Sequence, residues 1–177
     1  MSIAPYGGTL VNRVPSAEEA RGLREEAAGL PAIRLSSWAL SDLYLIAVGG
    51  LSPLEGFMTR DDYGAVVDTM HLPSGLPWSI PVVLPATEEE AKALVPGTQA
   101  ALVAPDGEIA ATIDVSEVFD RDREREAEKV FRTRDGAHPG VAALWRMGSR
   151  CVAGPIRYVY RADITGFPQE QIGRAHV

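Results

Sequence analysis

A single cysteine, Cys151, and three histidines, His71, His138 and His176, are all that this 177-residue chain offers to thiol or soft-metal chemistry. One cysteine excludes an internal disulfide framework and a multi-thiolate zinc site, so nothing points to an oxidising compartment. The histidines are too scattered for metal ligation at helical or finger spacing. Cys151 reads as a small buried residue in a strand, because no adjacent histidine or basic cluster would lower its pKa. His71 falls at the end of a predicted helix, where an exposed imidazole compensates the dipole. Long apolar runs are also missing. The longest, LYLIAV at 43–48, is far too short to span a bilayer, and MSIAPYGG at the N-terminus lacks the basic and apolar regions of a secretory signal. A cytoplasmic protein without membrane partners is expected. Positive charge is in deficit as well: the net charge of −7 makes nucleic acid an unlikely partner, since phosphate affinity is built from clustered Lys and Arg. There is no Walker-type loop, dinucleotide fingerprint or G-x-S-x-G elbow, and no repeat.

What is present describes one domain, with 46% hydrophobic and 23% charged residues. Ser16 and Glu19 form a capping box ahead of Ala20, Leu23, Ala27 and Leu30 at helical spacing, and Gly29 with Pro31 stops that helix. A second helix is predicted from Ser36 or Ser37 to Val48, burying Ala39, Leu43, Ile46 and Ala47 and ending at Gly49 and Gly50. Thr59 caps a third, with Asp61 and Asp62 in its first turn and Tyr63, Val66, Val67 and Met70 as its apolar stripe. Alternation from Trp78 to Leu84 predicts a strand, placed at an edge by Pro81. Thr87 and Glu90 make another capping box, and QAALVAPDGEIAATIDV reads as a hairpin turning on Pro-Asp-Gly. RDREREAEKVFRTR at 121–134 interleaves both signs and reads as a solvated helix face. His138 and Pro139 open a short helix, and RCVAGPIRYVY supplies a last strand. Early helices, paired strands and no sustained β-α-β alternation predict an α+β fold with a largely antiparallel sheet or small barrel.

The segment VGGLSPLEGFMTRDDY at 48–63 is unusual, with three glycines and a proline between two predicted helices. Its residues fit a helix C-cap and a Ser-Pro turn, with Leu54, Phe57 and Met58 buried beneath and Gly56 in a conformation closed to other residues. A second reading makes it a docking surface with Phe57 or Met58 exposed. Phosphate binding is the weakest reading, because no cation precedes Arg60. Carboxylate pairs such as Asp61–Asp62 and Asp120–Asp122 are explained by helix N-terminal positions before acid-base chemistry.

Taken together, LSSWALSDLYLIAVGGLSPLEGFMTRDDY, LPWSIPVVLP, PDGEIAATIDV, TRDGAHPGV and VAGPI resemble the N-terminal domain of the ATP sulfurylase (sulfate adenylyltransferase) family. In order and spacing they cover nearly the whole chain. Tyr44 departs from the pattern, since many members carry Glu there. The resemblance implies a PUA-like small β-barrel with added N-terminal helices over residues 1–171. It further implies that the family-motif positions Gly49, Gly50, Ser52, Pro53, Leu54, Gly56, Phe57, Met58, Thr133, Asp135, His138, Pro139 and Gly140 face a second domain. That C-terminal catalytic domain of the same polypeptide would hold ATP and Mg²⁺ and make adenosine 5′-phosphosulfate and pyrophosphate from ATP and sulfate, in a homo-oligomer. Its Gln-x-Arg-Asn-Pro-x-His-x-x-His motif has no counterpart here, so no catalytic, cofactor-binding or metal residue is carried over. A fragment inactive alone is expected; a standalone PUA-like binding module, for example for RNA, is the alternative. The ending IGRAHV, residues 172–177, back-translates to ATCGGAAGAGCACACGTC, similar to a sequencing adapter. It is expected to be a non-native tail, which would leave Arg174 and His176 without functional meaning.

Overall fold

The computed structural model describes residues 4–159. The adapter-like tail lies outside them. Within this range the order is α1 (Ala17–Ala27), β1 (Ala32–Arg34), α2 (Ser37–Val48), β2 (Gly56–Phe57), α3 (Arg60–Thr69), β3 (Leu84–Ala86) and α4 (Glu88–Lys92), followed by β4 (Gln99–Val103), β5 (Ile109–Asp114), β6 (Glu117–Asp120), α5 (Arg123–Val130), α6 (Pro139–Arg146) and β7 (Arg150–Tyr158). The fold is α+β, as expected. Ser16, Thr59 and Thr87 each close a capping box, with Glu19, Asp62 and Glu90 returning the bond to the cap. Each such cap contributes about 1 kcal/mol by satisfying amide donors that a helix leaves unpaired.

The sheet is organised by β7, which changes partners along its length. Arg150–Val152 pair with β3 and Arg150–Ala153 with β6; Gly154 and Pro155 meet β2; Ile156–Tyr158 pair with β5. The change falls at Gly154, whose φ of +145° suits glycine. A Cβ there would sit 2.0 Å from the Asp114 carbonyl oxygen. The strand therefore bends where no side chain fits, and the sheet curls into a half-barrel. β4 and β5 form the expected hairpin, with Gly107 at φ +90° in its turn. β1, which the sequence reading missed, adds the one parallel pairing among the described residues, to β4. Its three residues are too few to show a period.

One predicted strand is corrected. Trp78–Leu84 does not form a ladder; only Leu84–Ala86 is extended and paired. Pro81 removes a donor inside the segment, and the alternation fails in the burial: Ile80 is exposed while Pro81, Val82, Val83 and Leu84 are all covered. Val82 instead exchanges contacts with Met58, accepting from its amide at 3.0 Å and donating to its sulfur at 3.3 Å. The main core joins α2 and α3 to the sheet through Leu43, Ile46, Met58, Val66, Leu84, Leu102 and Ile113, and a smaller cluster of Ala127, Val141 and Leu144 holds α5 to α6.

Candidate functional site

The glycine-rich connection is a packed junction. Gly49 caps α2 in the left-handed region at φ +84°, and a Cβ there would lie 2.4 Å from the Val11 carbonyl oxygen. The Ser52 hydroxyl donates to Gly49 O at 2.7 Å and accepts from the Val11 amide at 3.0 Å, tying the N-terminal segment to the turn. Gly56 lies opposite Pro155 in the ladder, and a Cβ on it would come within 1.9 Å of Gly154 O. Gly56 is therefore required by close approach of β7, not by an unusual φ as the sequence suggested. Two motifs distant in sequence, GGLSPLEGFM and VAGPI, meet here. Phe57 and Met58 are 3% and 1% exposed, so the reading that leaves them on an open surface is corrected. They are core residues, and burying them contributes about 2–3 kcal/mol each.

The second motif group is a separate turn between α5 and α6. Thr133 Oγ1 accepts from the Asp135 amide at 3.1 Å, and Asp135 accepts from Ala137 N through Oδ1 and from His138 N through its carbonyl. His138 and Pro139 open α6 as expected, although the imidazole makes no cap bond and instead tilts against the Phe131 ring at 5.4 Å. Gly140 has no room for a side chain, because a Cβ would meet the Phe131 ring at 2.4 Å. Asp135, His138 and Pro139 remain exposed. The structure does not bring this turn to the glycine-rich connection; the two line different clefts.

Between them lies a feature that the sequence reading missed. Arg121 and Glu126, read as part of a solvated face, are 8% and 1% exposed. The guanidinium donates from Nε to Glu126 Oε2 at 2.7 Å and from Nη2 to Oε1 at 2.6 Å, a parallel pair of charge-assisted bonds. The Tyr63 hydroxyl lies 3.1 Å from both Glu126 Oε2 and the Asp122 carbonyl oxygen, and Arg121 Nη1 reaches the Met147 sulfur at 3.2 Å. Burial works against the Arg121 charge, yet the bonds and charge of Glu126 outweigh it and raise the pKa; the Tyr63 hydroxyl is raised by burial first and then by Glu126. A signal existed in sequence: Glu126 stands four residues before Val130, on the stripe that α5 turns inward. Apart from Ala127 and the half-buried Arg123, Val130, Phe131 and Thr133, the rest of the segment is solvated, with Arg134 paired to Glu124 and Glu128.

This network floors a cleft between α2, residues 80–85 and the α5–α6 pair, with a cavity volume of about 40 Å³. Asp42 enters it from α2, and burial lifts its carboxyl to about 6. Cys151 is buried in β7 as expected, its thiol pushed up to about 12 by burial. His71 is exposed past the end of α3, its Nδ1 2.6 Å from Thr69 O. Among the described residues, no group of three or more His, Cys, Asp or Glu could hold a metal ion, and no helix is long and apolar enough to cross a membrane.

A family model described as a PUA-like domain matches residues 3–161. The chain belongs to the PUA-like domain family. This PUA-like chain is 46% identical over 174 residues to a protein named sulfate adenylyltransferase from Synechococcus sp. (strain JA-3-3Ab), a match covering 98% of the chain and 44% of that relative. The sulfate adenylyltransferase of Trichodesmium erythraeum (strain IMS101) is 42% identical, with 98% and 45% covered. A probable bifunctional SAT/APS kinase 2 from Sorangium cellulosum (strain So ce56) is 46% identical, with 94% and 29% covered. Among solved structures, the hexameric APS kinase from Thiobacillus denitrificans superposes with a TM-score of 0.70 at 26% identity, over 97% of this chain and 31% of that one. The chain thus spans less than half the length of the curated relatives it matches.

Proposed function

We propose that this chain is the PUA-like portion of a sulfate adenylyltransferase, a scaffold and assembly module for a nucleotidyltransferase that converts ATP and sulfate to adenosine 5′-phosphosulfate and pyrophosphate. One observation carries the reading: nearly all of the chain aligns with proteins of that name while accounting for under half of their length. Such catalysis needs groups that position the triphosphate and neutralise charge as it develops at phosphorus. The buried charges of this chain do other work, since Arg121 is committed to Glu126 and Tyr63 closes over the pair. ATP, Mg²⁺ and the transfer step belong to the polypeptide that the relatives possess beyond the matched segment.

The motif positions left at the surface, Gly50, Asp135, His138 and Pro139, are the ones available to meet that polypeptide. A homo-oligomer is part of the proposal, supported by the hexameric neighbour. The test is to read the source DNA onward from codon 171. A frame that continues into a segment resembling Gln-x-Arg-Asn-Pro-x-His-x-x-His supports the reading and marks residues 172–177 as non-native. A genuine stop after Val177 overturns it in favour of a standalone binding module.

A further inference from the structure

The cleft over the Arg121–Glu126 pair has no role in the reading above. Trp38 and Asp42 stand one turn apart on α2 and line one wall, while Phe131 and Met147 line the other. Arg121 and Glu126 are the other charged residues of the lining and cancel each other through their two bonds. Asp42 has no hydrogen bond or ion pair among the described residues, and burial alone perturbs it. The cleft therefore carries one uncompensated negative charge in apolar walls. At its rim Trp38 is 55% exposed and Ile80 51%, large apolar surface facing water.

A carboxylate one helical turn from an indole, both lining one cleft, is an environment that a guanidinium fits. Its planar fork donates two parallel bonds to the carboxylate while its face stacks on the indole; an ammonium supplies only a point charge. The cavity volume of about 40 Å³ is on the scale of a few water-sized spheres. That suits the end of one side chain and is too small for a nucleotide.

We propose that this cleft is a docking socket for one arginine side chain of a partner polypeptide, with Asp42 as its counter-ion and Trp38 as its stacking face. The carrier is the part of the parent polypeptide beyond the matched segment; only this identity rests on the function proposed above, and the guanidinium preference does not.

The test is an NMR titration of the full chain with ethylguanidinium, using ethylammonium as a charge control and ethylurea as a neutral shape control. Ethylguanidinium should shift the Trp38 indole N–H and the amides of α2 saturably, ethylammonium should bind at least about threefold more weakly, and ethylurea should not saturate. Asp42→Asn should weaken ethylguanidinium binding about tenfold and Trp38→Ala about threefold, both with native spectra. Affinity should rise with pH as Asp42 ionises; Arg121 and Glu126 face the same cleft as a neutral pair, and among the described residues no histidine lines it. Absence of saturable shifts, or equal affinity in Asp42→Asn, would overturn the socket. Such a result would leave the sulfate adenylyltransferase reading intact, because the onward DNA sequence decides that separately.

Discussion

Truncating Glu126 to alanine should cost the fold about 3–5 kcal/mol, because it leaves a buried guanidinium without its counter-ion. The structure sets the loss. Two charge-assisted bonds of 2.7 and 2.6 Å disappear, and Arg121 keeps only the Met147 thioether, a weak acceptor. Tyr63 retains the Asp122 carbonyl oxygen, so its hydroxyl adds little to the cost. Domains of this size are stable by about 5–15 kcal/mol, and Glu126→Ala removes a large share of that. With a urea dependence of about 2 kcal/mol per molar, the unfolding midpoint should fall by roughly 2 M. Replacing both partners by apolar residues, Arg121→Met with Glu126→Leu, should recover most of the loss, since it removes the desolvated charges together. A loss below about 1 kcal/mol in Glu126→Ala, or a double variant no better than the single, would refute the reasoning.

Other perturbations test other parts of the account. Asp42 is raised from 3.8 to about 6 in the folded state, so the native protein binds its proton more tightly than the unfolded chain. The stability this gives is present below pH 3.8 and is lost as pH rises through 6. Asp42→Asn should therefore stabilise the chain at pH 7 by about 1–2 kcal/mol, after allowing for solvent screening of a half-buried group, and change little near pH 3.5; urea unfolding at the two pH values checks this. Gly56→Ala should destabilise by about 3 kcal/mol or abolish soluble expression, because its methyl would strike Gly154 O; a variant within 1 kcal/mol of the parent in thermal unfolding would contradict the ladder described here. Cys151 should resist iodoacetamide at pH 8 in the native state and react in urea, as followed by mass spectrometry.

The helices were readable because their signals are local. Ser16, Ser36, Thr59 and Thr87 announce their helices within four residues, and the Pro-Asp-Gly turn announces the β4–β5 hairpin. What failed depended on distant partners. The 78–84 alternation was real as a pattern, but Pro81 removes a donor within it and the burial of residues 81–84 does not alternate. Gly56 looked like a φ requirement and proved to be a contact with a strand about a hundred residues on. The charged segment concealed Arg121–Glu126 because most of its residues are indeed solvated, and one inward glutamate does not stand out among outward ones. Asp42 carries no signal in sequence for a related reason: its carboxylate stands alone, and the cleft that makes it notable is assembled from α2, residues 80–85 and the α5–α6 pair.

The most direct measurement is a segment exchange. In the Synechococcus sp. (strain JA-3-3Ab) relative, the matched 44% is replaced by this chain, and pyrophosphate release from ATP and sulfate is assayed for the chimera and for the chain alone. The account predicts a folded chimera with activity close to that of the relative and none from the chain alone. A folded but inactive chimera, or turnover by the isolated chain, would contradict it.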